Sequence, residues 1–150
     1  MKSEPEVFSI EDLKAAPKKT TLWEGIRNYQ ARNFMRDDMA KGDVVLFYHS
    51  NCKEPGIVGL AEISSKSAYP DPFQFDPKSN YFDPKSPRDN PRWLVVDVRY
   101  KSTLKTPATL KEMKAHSLLK DMKVVQRGMR LSIQPVEEKH YRILEKEFFA

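Results

Sequence analysis

Seven of the 11 prolines fall between Pro55 and Pro91, at Pro55, Pro70, Pro72, Pro77, Pro84, Pro87 and Pro91. Proline fixes φ and lacks an N–H, so the stretch from Lys66 to Arg92 can be neither a central strand nor a long helix. Tyr69, Phe73, Phe75, Tyr81 and Phe82 are interleaved there with acids such as Asp71, which a solvated linker has no reason to carry. The stretch therefore reads as a long ordered loop packed on the body, and such loops are usually functional.

Regular elements flank it. Ser9 reads as the N-cap of a short helix with Asp12 reaching back as its acidic third residue, and Pro17 closes that helix. Gly25 to Arg36 reads as a second helix, with Ile26, Tyr29 and Phe34 inward and Asn28, Arg32 and Arg36 along the other side. Residues 43–50 are apolar on both faces, as a strand covered on both sides must be. Residues 57–64 form a second strand, paired with the first as a hairpin across a link that contains Pro55 and Gly56. Residues 93–100 and 130–136 read as further strands, the latter limited by Pro135. Thr109 and Glu112 match a capping box that starts a short helix, and residues 137–148 form an amphipathic final helix. At 150 residues this is one α+β domain, short strands of a curled sheet or barrel with helices around it.

Charge and composition bound the function. The net charge is +5 with 16 aromatic residues (Phe 8, Tyr 6, Trp 2), so the chain is a folded basic domain suited to a polyanion, nucleic acid first. No apolar run approaches the roughly 18 residues of a spanning helix, so no membrane role is expected. Met1-Lys2-Ser3-Glu4-Pro5 lacks the apolar stretch of a secretory signal. The single cysteine, Cys52, can close no internal disulfide, and a reducing compartment is expected, cytoplasmic or, in a eukaryote, nuclear.

Catalysis is poorly supplied. His49, Ser50 and Cys52 cluster at a strand end, but His49 and Ser50 point to opposite faces, and no G-x-S-x-G elbow surrounds the serine. His116 and His140 stand apart. The histidines and Cys52 show no metal-ligand spacing, and Asp71, Asp76, Asp83 and Asp89 beside prolines suit Asx-turns better than a cation site. Five unclustered glycines make no phosphate cradle. No cofactor, metal or catalytic residue is expected.

Binding is better supplied. Residues 23–33 hold Trp23 and Tyr29 for stacking, Asn28 and Gln30 to read a base edge, and Arg27 and Arg32 for phosphates, with Arg36 following. Core packing is the competing reading for the aromatics, and a solvated ion-paired helix face for the arginines.

Five blocks together resemble the EVE domain family, in that family's order: Lys2 to Pro5, Trp23 to Asn33, Phe47 to Ser50, Tyr69 to Pro72, and Arg130 to Val136. The resemblance covers nearly the whole chain. It implies a PUA-like fold, a curled and mostly antiparallel β-barrel surrounded by short helices, related to the YTH and ASCH domains. It also implies non-enzymatic binding of one modified base in an aromatic-lined pocket, a modified cytosine in DNA being favoured and RNA remaining open, by a monomer. Carried onto these positions, the pocket comprises Lys2, Ser3, Glu4, Trp23, Ile26, Asn28, Tyr29, Tyr48, His49, Ser50, Arg130 and Ser132. Lys18, Lys19, Arg27, Arg32 and Arg36 would contact the nucleic-acid backbone. Members carry aromatics just before the first block, whereas this sequence starts at Met1, so a shortened first strand is expected. The competing functions are an enzyme acting on a modified base through His49, Ser50 or Asp71, an RNA-binding module, and an adaptor using the proline-rich loop.

Overall fold

The computed structural model describes residues 1–149. Five strands, β1 (Lys2–Ser3), β2 (Thr20–Leu22), β3 (Val44–His49), β4 (Gly56–Ile63) and a long strand at Asp97–Thr109, form one mixed sheet. Two short strands, β5 (Tyr69–Pro70) and β6 (Leu94–Val95), pair separately, so the long strand is β7. The main order is β1-β3-β4-β7-β2, with β1 parallel to β3 and the other pairs antiparallel. Register shifts interrupt β3–β4 between Phe47 and Tyr48 and β4–β7 between Ile57 and Gly59. Bulges of this kind bend and twist a ladder, and the sheet curls into a half-barrel with a few short helices around it.

Strand β3 shows why its sequence is apolar on both faces. Val45 and Phe47 enter one core with Leu13, Trp23, Met35 and Val98. Leu46 and Tyr48 enter another with Ile57, Met113, Leu119 and Leu144. Helix α1 (Ile10–Ala15) carries the expected Ser9–Asp12 capping box. Its Ile10 packs on β4 at Gly59, where a Cβ would stand 2.6 Å from the Ser102 carbonyl oxygen and 2.9 Å from Ile10 Cδ1. No larger residue fits there.

Three readings are corrected. The second helix does not begin at Gly25: α2 spans only Tyr29–Asn33 and runs into a π-helical turn at Phe34–Asp38. Asn28 is its N-cap, its side-chain oxygen accepting from Ala31 N at 3.0 Å, and Gly25 sits at φ +83°, which breaks any helix through it. Tyr29 is accordingly 51% exposed and not on an inner face. Residues 130–136 form no strand; among the described residues their backbone meets the sheet edge where Lys2 N donates to the Ser132 carbonyl at 2.8 Å. Strand β7 runs nine residues past Tyr100, to Thr109. Helix α3 (Leu110–Ala115) is capped by Thr109 and the terminal helix α4 spans Glu138–Glu147.

The proline-rich stretch is an ordered loop built around one buried side chain. Gln74 Nε2 donates to the carbonyls of Asp71 (2.7 Å) and Trp93 (2.8 Å). Its Oε1 accepts from Ser86 Oγ (2.6 Å) and Trp93 N (3.1 Å). Asp71, Asp76 and Asp83 each accept from the backbone N–H two residues on, as Asx-turns do.

His49 joins β3 to α1: its Nε2 accepts from Ile10 N at 3.1 Å. Burial pushes the imidazole below its ordinary value. A depressed folded value means that this contact is intact above the unfolded value of about 6.5 and is lost as pH falls through the folded one. Hydrogen exchange should show the Ile10 amide losing protection as pH falls below about 6.5. Constant protection through that fall contradicts this.

Candidate nucleic-acid interface

The end of β1, the turn after β2, the tip of the proline-rich loop and the segment before α4 converge. They enclose a cleft of about 410 Å³, within the roughly 300–1,000 Å³ of small-ligand sites. Of the expected pocket residues, Lys2, Ser3, Glu4, Trp23, Ile26 and Ser132 line it together.

Trp23 is placed by its backbone and its ring. Its N–H donates to the Val96 carbonyl at 2.9 Å, extending β2, and its indole stands edge-on to Phe47 with centroids 5.6 Å apart. It is both a core residue and a cleft residue, 8% exposed. Its Nε1–H donates to no described residue, and since no fully buried side-chain polar atom among the described residues lacks a partner, this N–H is not wholly enclosed. Around it, Ser3 Oγ donates to the Phe8 carbonyl (2.6 Å) and Glu4 accepts from Asn51 Nδ2 (3.1 Å). Lys2 Nζ donates to the Met129 carbonyl at 3.2 Å, and burial holds its amine below the ordinary lysine value.

The other expected pocket residues do not line this cleft. Asn28 caps α2. Tyr29 stacks on Trp93 with centroids 4.9 Å apart. His49 caps α1, and Ser50 N donates to the Ser3 carbonyl at 2.9 Å. Tyr48 lines an adjoining apolar pocket with Leu46 and Ile57, which shares Lys2 and Ser132 with the cleft, and burial pushes its hydroxyl up to about 12. Arg130 is exposed, between Met129, whose carbonyl meets Lys2, and cleft-lining Ser132.

The arginines expected on phosphates hold protein instead. Arg27 Nη1 donates to Asp71 at 3.0 Å, while Nε and Nη2 donate to the Tyr81 carbonyl at 3.1 and 2.7 Å. Arg32 donates to Asn33 and to the Arg92 carbonyl, and Arg36 pairs with Asp37. Lys18 and Lys19 are exposed before β2, both left-handed at φ 55° and 54°.

Uncompensated charge gathers in another segment. Lys105, Lys111, Lys114, Lys120, Lys123, Arg127 and Arg130 face only Glu112 and Asp121 in sequence. Among the described residues none of these seven is ion-paired. Arg127 and Arg130 flank Met129, whose carbonyl accepts from cleft-lining Lys2.

Sequence reasoning missed Val7, Phe8, Thr21, Leu22, Glu24, Gly25 and Tyr81 as cleft residues. Gly25 after Trp23-Glu24 was a turn signal. Nothing local marked Tyr81, which arrives from 56 positions away.

A family model described as EVE domain matches residues 1–147. The chain belongs to the EVE domain family. Thymocyte nuclear protein 1 of Homo sapiens is 49% identical over 158 residues, covering 94% of this chain and 69% of that protein. The Gallus gallus protein of the same name is also 49% identical over 94% of this chain, which spans 64% of it. This EVE domain therefore accounts for about two thirds of the length of those relatives. Two solved structures match it closely. One, from Pseudomonas syringae, has a TM-score of 0.90 and 43% identity, covering 97% of this chain and 95% of that one. The other is the human THYN1 protein in complex with 5-methylcytosine containing DNA, with a TM-score of 0.91 and 47% identity over 97% of this chain and 94% of that one.

Proposed function

We propose that the chain binds DNA carrying a modified cytosine and seats that base in the cleft beside Trp23. The observation that carries this reading is the Trp23 indole, its N–H without a described partner, lining a cleft in a chain 47% identical to one whose structure holds 5-methylcytosine DNA. A cytosine edge presents acceptors at O2 and N3 and a donor at its exocyclic amine. The cleft offers the Trp23 N–H and the Ser132 hydroxyl as donors and the Glu4 and Glu24 carboxylates as acceptors. Val7, Phe8, Leu22 and Ile26 supply apolar surface suited to a methyl group.

Phosphates fall to Lys123, Arg127 and Arg130, which have no ion-pair partner among the described residues, rather than to Arg27 and Arg32, which hold protein carbonyls. Binding is favoured over turnover because the acid–base candidates hold structural bonds: His49 caps α1, and Asp71 is saturated by three donors. An adaptor role for the proline-rich loop is disfavoured by its pinning through Gln74.

Competition between duplexes of one sequence, with and without 5-methylcytosine, tests the reading across a salt series. The methylated duplex should bind more tightly at every salt concentration, with the same salt slope, because phosphate contacts are shared. Equal affinities throughout contradict base reading and leave a polyanion contact. Tighter binding of an RNA of the same sequence contradicts the choice of DNA.

A further inference from the structure

We propose that Tyr81 is a second aromatic face of the base cleft, and that Arg27 and Asp71 are positioning residues that hold it there; this rests on the base-binding reading above. The Tyr81 ring lies directly on Gly25, where a Cβ would come within 2.7 Å of its Cε1 and Cζ. Gly25 is therefore required twice, for its φ of +83° and for the ring above it.

The tyrosine is delivered by a loop, and a loop alone would not fix a ring. Arg27 does so. Its forked guanidinium grips the Tyr81 carbonyl through Nε and Nη2 at 3.1 and 2.7 Å, leaving Nη1 for Asp71 at 3.0 Å. Asp71 is fully buried, and the same Oδ2 accepts from Gly25 N at 3.2 Å. One carboxylate thus ties the backbone beneath the Tyr81 ring to the arginine that holds the Tyr81 main chain. The guanidinium also stands 5.6 Å from the Tyr81 ring centre and 5.5 Å from that of Trp93. Trp93 is itself held by its indole N–H on Asp83 at 2.7 Å and by its stack on Tyr29.

Although braced on this side, Tyr81 is not covered. It is 36% exposed and borders both the cleft and an adjoining hollow of about 290 Å³. A braced, partly open ring lining the same cleft as the Trp23 indole is what a planar, polar-edged ligand needs: stacking surface at little entropy of ordering, and a donor.

The test compares the wild-type chain with Tyr81→Ala, Tyr81→Phe and Arg27→Lys, measuring affinity for methylated and unmethylated duplexes and thermal midpoints. Tyr81→Ala should weaken methylated-duplex binding on the order of tenfold, as loss of a base-stacking ring does, and more than it weakens unmethylated binding, so that the preference falls while a two-state thermal transition is retained. Tyr81→Phe should retain the preference, because the ring and not the hydroxyl is used. Arg27→Lys keeps the charge without the fork and should give an intermediate loss of preference. A Tyr81→Ala chain with wild-type preference overturns the proposal while leaving the base-binding reading intact. A wild-type chain with no preference overturns both.

Discussion

Asp71→Ala should lose about 3 kcal/mol of folding stability, the low end of what removing one partner of a buried ion pair costs. The carboxylate is fully buried and satisfies Gly25 N, Phe73 N and Arg27 Nη1. Its removal strands two backbone donors and a guanidinium that is 23% exposed. That partial exposure lets water relieve the arginine, which is why the low end applies. Asp71→Asn keeps an acceptor for some of these donors and should cost less. Urea denaturation of the three chains checks the order, and a loss below about 1 kcal/mol for alanine would show that the clasp is ornamental.

Trp23→Ala should be as damaging, at about 3–4 kcal/mol, in the usual range for an aromatic removed from a core. The ring packs edge-on against Phe47 and joins the core of Leu13, Met35 and Val98. An alanine there would also lose ligand binding through loss of the fold. Trp23→Phe separates the effects: it keeps a ring against Phe47 and deletes the N–H, so stability should fall by about 1 kcal/mol while the preference for a methylated base is reduced by the loss of a hydrogen bond that only a seated base makes. Thermal denaturation beside binding distinguishes them. A phenylalanine chain that keeps the preference removes the indole N–H from the account.

The parts of the fold that were legible in sequence are those decided by local chemistry. The Ser9–Asp12 box announces α1 because both partners lie within one turn. Strand β3 is readable because each face is covered by a different core. Residues 101–109 of β7 gave no signal, since most are exposed and polar and are held extended by pairing with β4. Residues 130–136 showed the alternation of a strand, yet Ile133 is buried and Ser132 lines the cleft without a ladder.

The site follows the same division. Trp23, Lys2, Ser3, Glu4, Ile26 and Ser132 came from family blocks, and the fold brings them to one cleft. The blocks also contain Asn28, Tyr48 and His49, whose side chains are occupied in a helix cap, a second core and another cap. A motif marks the residues that keep its neighbourhood intact together with any that touch ligand, and sequence alone does not separate the two. The arginines illustrate the point: charge counting placed them on phosphates, whereas the forked geometry of Arg27 is spent on Asp71 and the Tyr81 carbonyl.

The most direct measurement follows the two indole N–H signals of the ¹⁵N-labelled chain during titration with DNA. The chain has two tryptophans, and Trp93 Nε1–H is committed to Asp83, so it serves as the internal reference. The Trp23 signal should shift with a duplex containing 5-methylcytosine and shift much less with its unmethylated twin, while the Trp93 signal stays in place. Identical Trp23 responses to both duplexes, or none to either while the DNA is bound, would contradict a base seated beside Trp23.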